Sequence, residues 1–345
     1  MRCEIISPVL LARMARHADP AERELALYTL TRDNLHRMQR AAAPTVLAAR
    51  PAPPPAAPSD EPARTIYDAQ HTEQLPGTKI RDEHDPATGD KSATDAYDGL
   101  GATFEFYLST YGRHSIDDHA LHLNATIHYG DSYDNAFWDG HQMVFGDGDG
   151  KYFISFTGAL DVIGHELTHG VTQYTAGLIY HGQSGALNES ISDVFGIMIK
   201  QYALHQTSSQ SDWLIGAGIL GPNVKGVALR SMAAPGTAFD DPVLGKDPQP
   251  ATMADYVHTS DDAGGVHINS GIPNHAFYLA ATAIGGHAWE KAGKIWYGAL
   301  TKHLKPDSQF RDAADATVAV AEELFGKGAE RDAVEKAWTD VGVLP

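Results

Sequence analysis

Ala159-Leu-Asp-Val-Ile-Gly-His165-Glu166-Leu-Thr-His169-Gly-Val-Thr-Gln-Tyr-Thr-Ala176 is the stretch on which the reading of this 345-residue chain turns. Its apolar residues recur at helical spacing and predict a helix. Residues four apart on a helix differ by about 40° in azimuth and about 6 Å in height, so His165 and His169 leave the same face. Two imidazoles so placed suit one tetrahedral zinc ion. Glu166 lies about 60° around the helix from His169, beside the metal rather than on it. A carboxylate there can take a proton from a water on the ion. Two solvated histidines on an amphipathic helix would look the same, so a third ligand must be found.

Glu189 is the candidate, at the start of a predicted helix over 186–204 that begins Ala186-Leu-Asn-Glu-Ser-Ile-Ser-Asp193. Asp193 follows four residues later on the same face, suited to accept the free ring N–H of a ligating histidine. Leu187, Ile191, Val194, Phe195, Ile197 and Met198 make the helix apolar nearly all round, hence buried. Buried carboxylates are costly unless paired or bound to metal.

Outward from this centre the two directions differ. Residues 65–158 carry Gly and Asp turns between short β-prone runs such as Ala125-Thr-Ile-His-Tyr129 and Tyr152-Phe-Ile-Ser-Phe156. From about 159 the pattern turns helical, with further helices expected over 273–284, 288–303, 310–325 and 329–340. The fold class is therefore α+β, β-rich first and mainly helical after about 172. Upstream, 8–40 reads as helical, and Ala41–Pro58 is almost all Ala, Pro and Arg, an extended linker that buries nothing.

The chain carries a formal net charge of −18, which argues against nucleic acid or an anionic membrane as partner. That charge is uneven: residues 1–50 hold eight arginines, no lysine and five acids, for a net of +3, leaving −21 on the rest. No window supplies the roughly 20 apolar residues of a membrane span. The short apolar stretch Ile5–Ala12 is broken by Pro8 and runs into Arg13, so no secretory signal is expected there. A single cysteine, Cys3, forbids an internal disulfide, and eighteen histidines point to imidazole chemistry. Its thiolate could also cap the zinc in a latent form.

Several motifs together carry a resemblance. They are Asn135-Ala-Phe-Trp138, Gly146-Asp-Gly-Asp-Gly150, the zinc helix, Thr175-Ala-Gly-Leu-Ile-Tyr180, Asn188-Glu-Ser-Ile-Ser-Asp193, Leu229-Arg-Ser-Met232 and Gly264-Gly-Val-His-Ile-Asn-Ser-Gly271. In this order and spacing, Thr65–Val343 resembles the thermolysin family of zinc metallopeptidases, and the leading segment resembles its protealysin-like branch. Nineteen residues lie between His169 and Glu189, as in that family; zinc aminopeptidases usually leave about eighteen. The resemblance implies a two-domain fold with the zinc helix at an interdomain cleft. It implies His165, His169 and Glu189 as ligands of one Zn2+, Glu166 as general base, and Tyr180 with His267 as donors to the developing oxyanion. Asp262 would orient His267. Asn135, Ala136 and Arg230 would hold the substrate backbone. Phe153, Phe156, Val162 and Leu229 would line an apolar pocket for the side chain after the cleaved bond.

The family's paired calcium ions are expected to be lost. Asp161 and Asp212 match its acidic cluster, but Lys200, Leu214 and Ala217 stand at three other acidic positions. Another calcium site is left open. The Gly146–Gly150 run lacks the third acidic position of an EF-hand, where Lys151 stands, and reads as a tight turn. The whole then reads as a zinc endopeptidase acting on protein and peptide substrates, cutting before bulky apolar residues. Its rivals are a zinc aminopeptidase and a silent binding protein. Residues 1–50 would be a pro-segment inhibiting in cis, 51–64 a linker, 65–172 and 173–345 the catalytic domains. Self-cleavage is expected between about 40 and 50, at Val46 or Leu47. Export without a signal, or a cytoplasmic precursor, follows from the missing leader.

Overall fold

A computed structural model describes the backbone of residues 3–42 and 59–345 and the side chains of 4–35 and 59–345. Residues 51–58 of the expected linker, the stretch around Val46 and Leu47, and the Cys3 thiol lie outside these. The chain splits into two compact units.

The first unit comprises Met1–Gly170 with Ile219–Val224 and Pro242–Leu244. Its sheet has six strands: β1 (Cys3–Glu4), β2 (Arg64–Asp68), β3 (Thr78–Asp82), β4 (Leu123–Ile127), β5 (Ala136–Trp138) and β6 (Met143–Phe145), in the order β1-β5-β6-β4-β2-β3. The leading residues thus supply an edge strand, with Cys3 opposite Trp138 and Glu4 opposite Phe137 in antiparallel register. Behind it run α1 (Pro8–His17) and α2 (Pro20–Ala42). The single helical stretch expected over 8–40 is interrupted because Asp19-Pro20 favours extended backbone before it, and Ala18 takes ψ 166°. Pro20 then opens α2, where its missing N–H costs nothing.

Helix α3 (Lys91–Tyr111) lies where only turns and β-prone runs were expected. Its ends carry the signal that its β-prone Thr, Phe and Tyr content masks. The Asp90 side chain caps Ala93 N–H, and Gly112 stops the helix in left-handed backbone at φ 65°. Conversely, Tyr152–Phe156 forms no strand of its own; Phe153 makes one isolated bridge to Leu220. Helix α4 (Leu160–Gln173) rests on α3, where a Cβ on Gly99 would stand 2.3 Å from Ile163. The Tyr107 hydroxyl also bonds that of Thr168, at 2.8 Å.

The second unit is mainly helical: α5 (Gly182–Ala203), α6 (Asp262–Asn269), α7 (Gly271–Ile284), α8 (Ala292–Lys302), α9 (Phe310–Phe325) and α10 (Ala329–Asp340). α5 is buried almost along its length, as its all-round apolar pattern requires. It starts four residues earlier than expected, so Glu189 lies two turns inside the helix rather than in its first turn. No described helix is long and apolar enough to cross a membrane.

Candidate active site

In the first unit, α4 sets His165 and His169 side by side, with their Nε2 atoms 3.0 Å apart. Both are fully buried, as is Glu166. One oxygen of Glu166 accepts the backbone N–H of Trp138 at 3.0 Å, a contact with strand β5 that the motif gave no hint of. Phe153, Phe156 and Val162 are buried, and the two phenyl rings lie 6.0 Å apart.

Asn135, at the head of β5, is engaged by the leading segment. Its Oδ1 accepts Ile6 N–H at 2.9 Å, while its Nδ2 donates to Ile6 O at 3.3 Å and to Asp33 at 2.9 Å. Ile5 N–H donates to the carbonyl of Ala136 at 3.2 Å. Thr29 and Asp33, four apart on α2, are buried. Thr29 accepts Asp134 N–H at 3.1 Å, and Asp33 accepts the Tyr133 hydroxyl at 2.5 Å. Among the described residues, the ion pairs of the leading segment run in both senses. Lys151 pairs with Glu22 at 2.8 Å and Asp19 at 3.2 Å, so these pairs run with the acid on the leading segment. Arg32 on Glu73, at 2.8 Å, follows the expected sense.

In the second unit, α5 and α6 build a compact polar group. The Tyr180 hydroxyl donates to Glu189 and stands 3.3 Å from His267 Nε2. His267 Nδ1 lies 2.6 Å from Asp262, whose other oxygen accepts the His267 backbone N–H at 2.8 Å. The turn Asp262-Ala-Gly-Gly265 makes this return possible, all four residues holding positive φ between 51° and 88°. Gly265 is needed there: a Cβ would meet Asn269 at 2.9 Å. Burial favours the neutral imidazole of His267, but the charges of Asp262 and Glu189 outweigh it and raise its pKa to about 9.

Asp193 is the acceptor of a buried bidentate pair from Arg230, with both N···O distances 2.8 Å, and of Asn274 Nδ2 at 2.8 Å. Arg230, expected at the substrate backbone, is thus fixed by Asp193; Asn274 was not foreseen. Leu229 is buried against Gly216, where a Cβ would stand 2.8 Å from it. Lys200 donates to both oxygens of Asp212 and to the Leu214 carbonyl, each at 3.1 Å.

His165 and His169 on α4 and Glu189 on α5 are all buried, and each offers a ligand atom that could hold a metal ion. Two imidazoles and one carboxylate are the donor set of a zinc ion with an open fourth position. The profile described as "Thermolysin metallopeptidase, catalytic domain" matches residues 58–173, and "Thermolysin metallopeptidase, alpha-helical domain" matches 176–343. The chain belongs to the thermolysin family. Among its thermolysin-family relatives is the "Extracellular metalloprotease" of Pectobacterium carotovorum subsp. carotovorum, 49% identical over 99% of this chain and 96% of that one. "Protease PrtS" of Photorhabdus sp. (strain Az29) is 51% identical over 83% of this chain and 77% of its own. A solved structure, "Precursor of Protealysin, Metalloproteinase from Serratia proteamaculans", superposes with a TM-score of 0.90 at 49% identity, covering 99% of both chains. The chain is accordingly a thermolysin-like metalloprotease with the two-domain thermolysin fold, in a zinc-dependent family.

Proposed function

We propose that the chain is the precursor of a neutral endopeptidase that hydrolyses peptide bonds on the N-terminal side of bulky apolar residues. The observation that carries the reading is the buried His165, His169 and Glu189 group, with Glu166 one residue from its first ligand. Zinc held by those three residues would polarise the scissile carbonyl and acidify the attacking water. Glu166 takes the proton from that water and passes it to the leaving amine. Tyr180 and His267, the latter kept charged by Asp262, donate to the oxyanion, work worth about 3–4 kcal/mol per donor. Asn135, Ala136 and Arg230 hold the substrate backbone. Phe153, Phe156, Val162 and Leu229 receive the apolar side chain after the cut, and Asp193 steadies the ligands.

The leading segment supports a self-inhibited precursor. Residues 3–6 add a strand along β5 and satisfy the Asn135 amide as an extended peptide substrate would. Removal of the segment by the enzyme itself, between about 40 and 50, frees that edge. A mature enzyme acting outside the cell fits this reading; the paired calcium site is absent from it.

Casein digestion by purified protein, with and without a chelator, beside Glu166→Gln, tests the mechanism. The variant keeps its zinc, loses turnover by about 10²–10⁴-fold or more, and stays untrimmed at its N-terminus. Near-normal activity in the variant overturns the role of Glu166; identical trimming in a protease-free host overturns self-processing.

A further inference from the structure

We propose that His71, His128 and Asp147 form a second divalent-metal site on the first unit, selective for a zinc-like, borderline-soft cation. The three side chains come from separate stretches: the loop after β2, the residue following β4, and the turn after β6. One ligand atom from each lies within 4.8 Å of the others. His128 Nδ1 stands 2.8 Å from both oxygens of Asp147, and His71 Nδ1 lies 3.4 Å from Asp147 Oδ2. Ligand atoms on a tetrahedral zinc ion are separated by about 3.3 Å, given bonds near 2.0 Å. The cluster is already close to ligating size. Imidazole with carboxylate favours zinc and its neighbours over calcium or magnesium, which take all-oxygen shells.

Two further contacts organise the group. The second ring nitrogen of His128, Nε2, lies 3.0 Å from Asp90 Oδ2. A carboxylate on that nitrogen fixes the tautomer and turns Nδ1 toward an ion. Asp90 is itself held, because its other oxygen caps α3 at Ala93 N–H, 3.0 Å away. His71 is pinned beside His128 by its backbone N–H, which donates to the His128 carbonyl at 2.9 Å. The His71 side chain is 61% exposed, so the cation enters from solvent and water completes its shell. An ion there ties down the loop that carries Glu73, the residue that accepts from Tyr28 and pairs with Arg32 of α2.

The test is a Zn2+ titration by calorimetry of full-length Glu166→Gln protein, already holding one equivalent of zinc. It is run beside the same protein carrying His71→Ala, or Asp90→Asn. The first protein takes up one further equivalent, and excess Zn2+ raises its melting temperature. His71→Ala weakens that second binding at least tenfold and removes the thermal shift, while Asp90→Asn, which keeps all three ligands and the helix cap, gives a smaller loss. The exposed position of His71 makes loss of folding no explanation, and the melting curve without added zinc checks it. Equal second binding with and without His71, or no second binding up to millimolar Zn2+, overturns the proposal and leaves His128 as an imidazolium bridging Asp147 and Asp90.

Discussion

Among the described residues, two groups of two histidines and one carboxylate occur, built in opposite ways. His165, His169 and Glu189 are buried and ride on long helices. His71, His128 and Asp147 sit at turns, with His71 exposed and the others half-buried. Burial makes the first group obligatory: two imidazoles and a carboxylate removed from water need a cation or a full set of hydrogen bonds. The second group can be satisfied by water and by its own ion pairs, so metal there is an addition and not a requirement. Donor identity alone does not separate a catalytic centre from an accessory one; surroundings do.

The largest effect should follow from damage to the buried group. Glu189→Gln keeps the shape and removes the anionic ligand, so zinc should be lost on dialysis and casein turnover should fall by more than the roughly hundredfold typical of perturbing a residue behind a ligand. Zinc content by mass spectrometry and initial rates measure both. A variant retaining full zinc and activity would show that the buried group is not the catalytic centre.

A smaller effect separates Glu166 from its helpers. Burial lowers the pKa of His267, but the charges of Asp262 and Glu189 raise it to about 9, which keeps the ring charged through neutral pH, as the proposed role of oxyanion donor requires. Its contribution to stability is fully present below the unfolded value near 6.5 and lost as pH rises through about 9. Asp262→Asn removes a charge that holds the pKa up, so the alkaline limb of kcat/KM should move down by about one pH unit or more, with the acid limb unmoved. An unshifted alkaline limb would mean that another group sets it.

The same contrast explains what could be read from the sequence. His165, Glu166 and His169 were legible because a helix converts a spacing of four into a shared face, whatever the rest of the fold does. Glu189 followed from the all-round apolar helix that carries it. His71, His128 and Asp147 were not legible, since 56 residues of chain lie between the first two and only the parallel pairing of β2 with β4 brings those stretches together. Helix α3 was missed because its aromatic residues and glycines resemble strand and turn, although Asp90 and Gly112 marked its ends. The grip of α2 was not legible for another reason. Net charge gives only the overall balance, whereas the buried contacts come from the side chains of Thr29 and Asp33.

The smallest effect is expected where the chain supplies its own cation. The Lys200 ammonium donates to both oxygens of Asp212 and to the Leu214 carbonyl, so a tethered charge occupies the oxygens an ion would need. A ligand present at 100 times its dissociation constant stabilises the folded state by about 2.7 kcal/mol. In a protein of this size that would shift the melting temperature by about 4 °C, at roughly 1.4 °C per kcal/mol. With zinc kept saturating, removal of calcium should therefore move the melting temperature by less than about 1 °C, within the range where mass action implies no tight site. Thermal melts in zinc-buffered solution, with and without millimolar calcium, decide the matter. A shift of several degrees would mean that calcium binds despite Lys200, at oxygens other than those its ammonium holds.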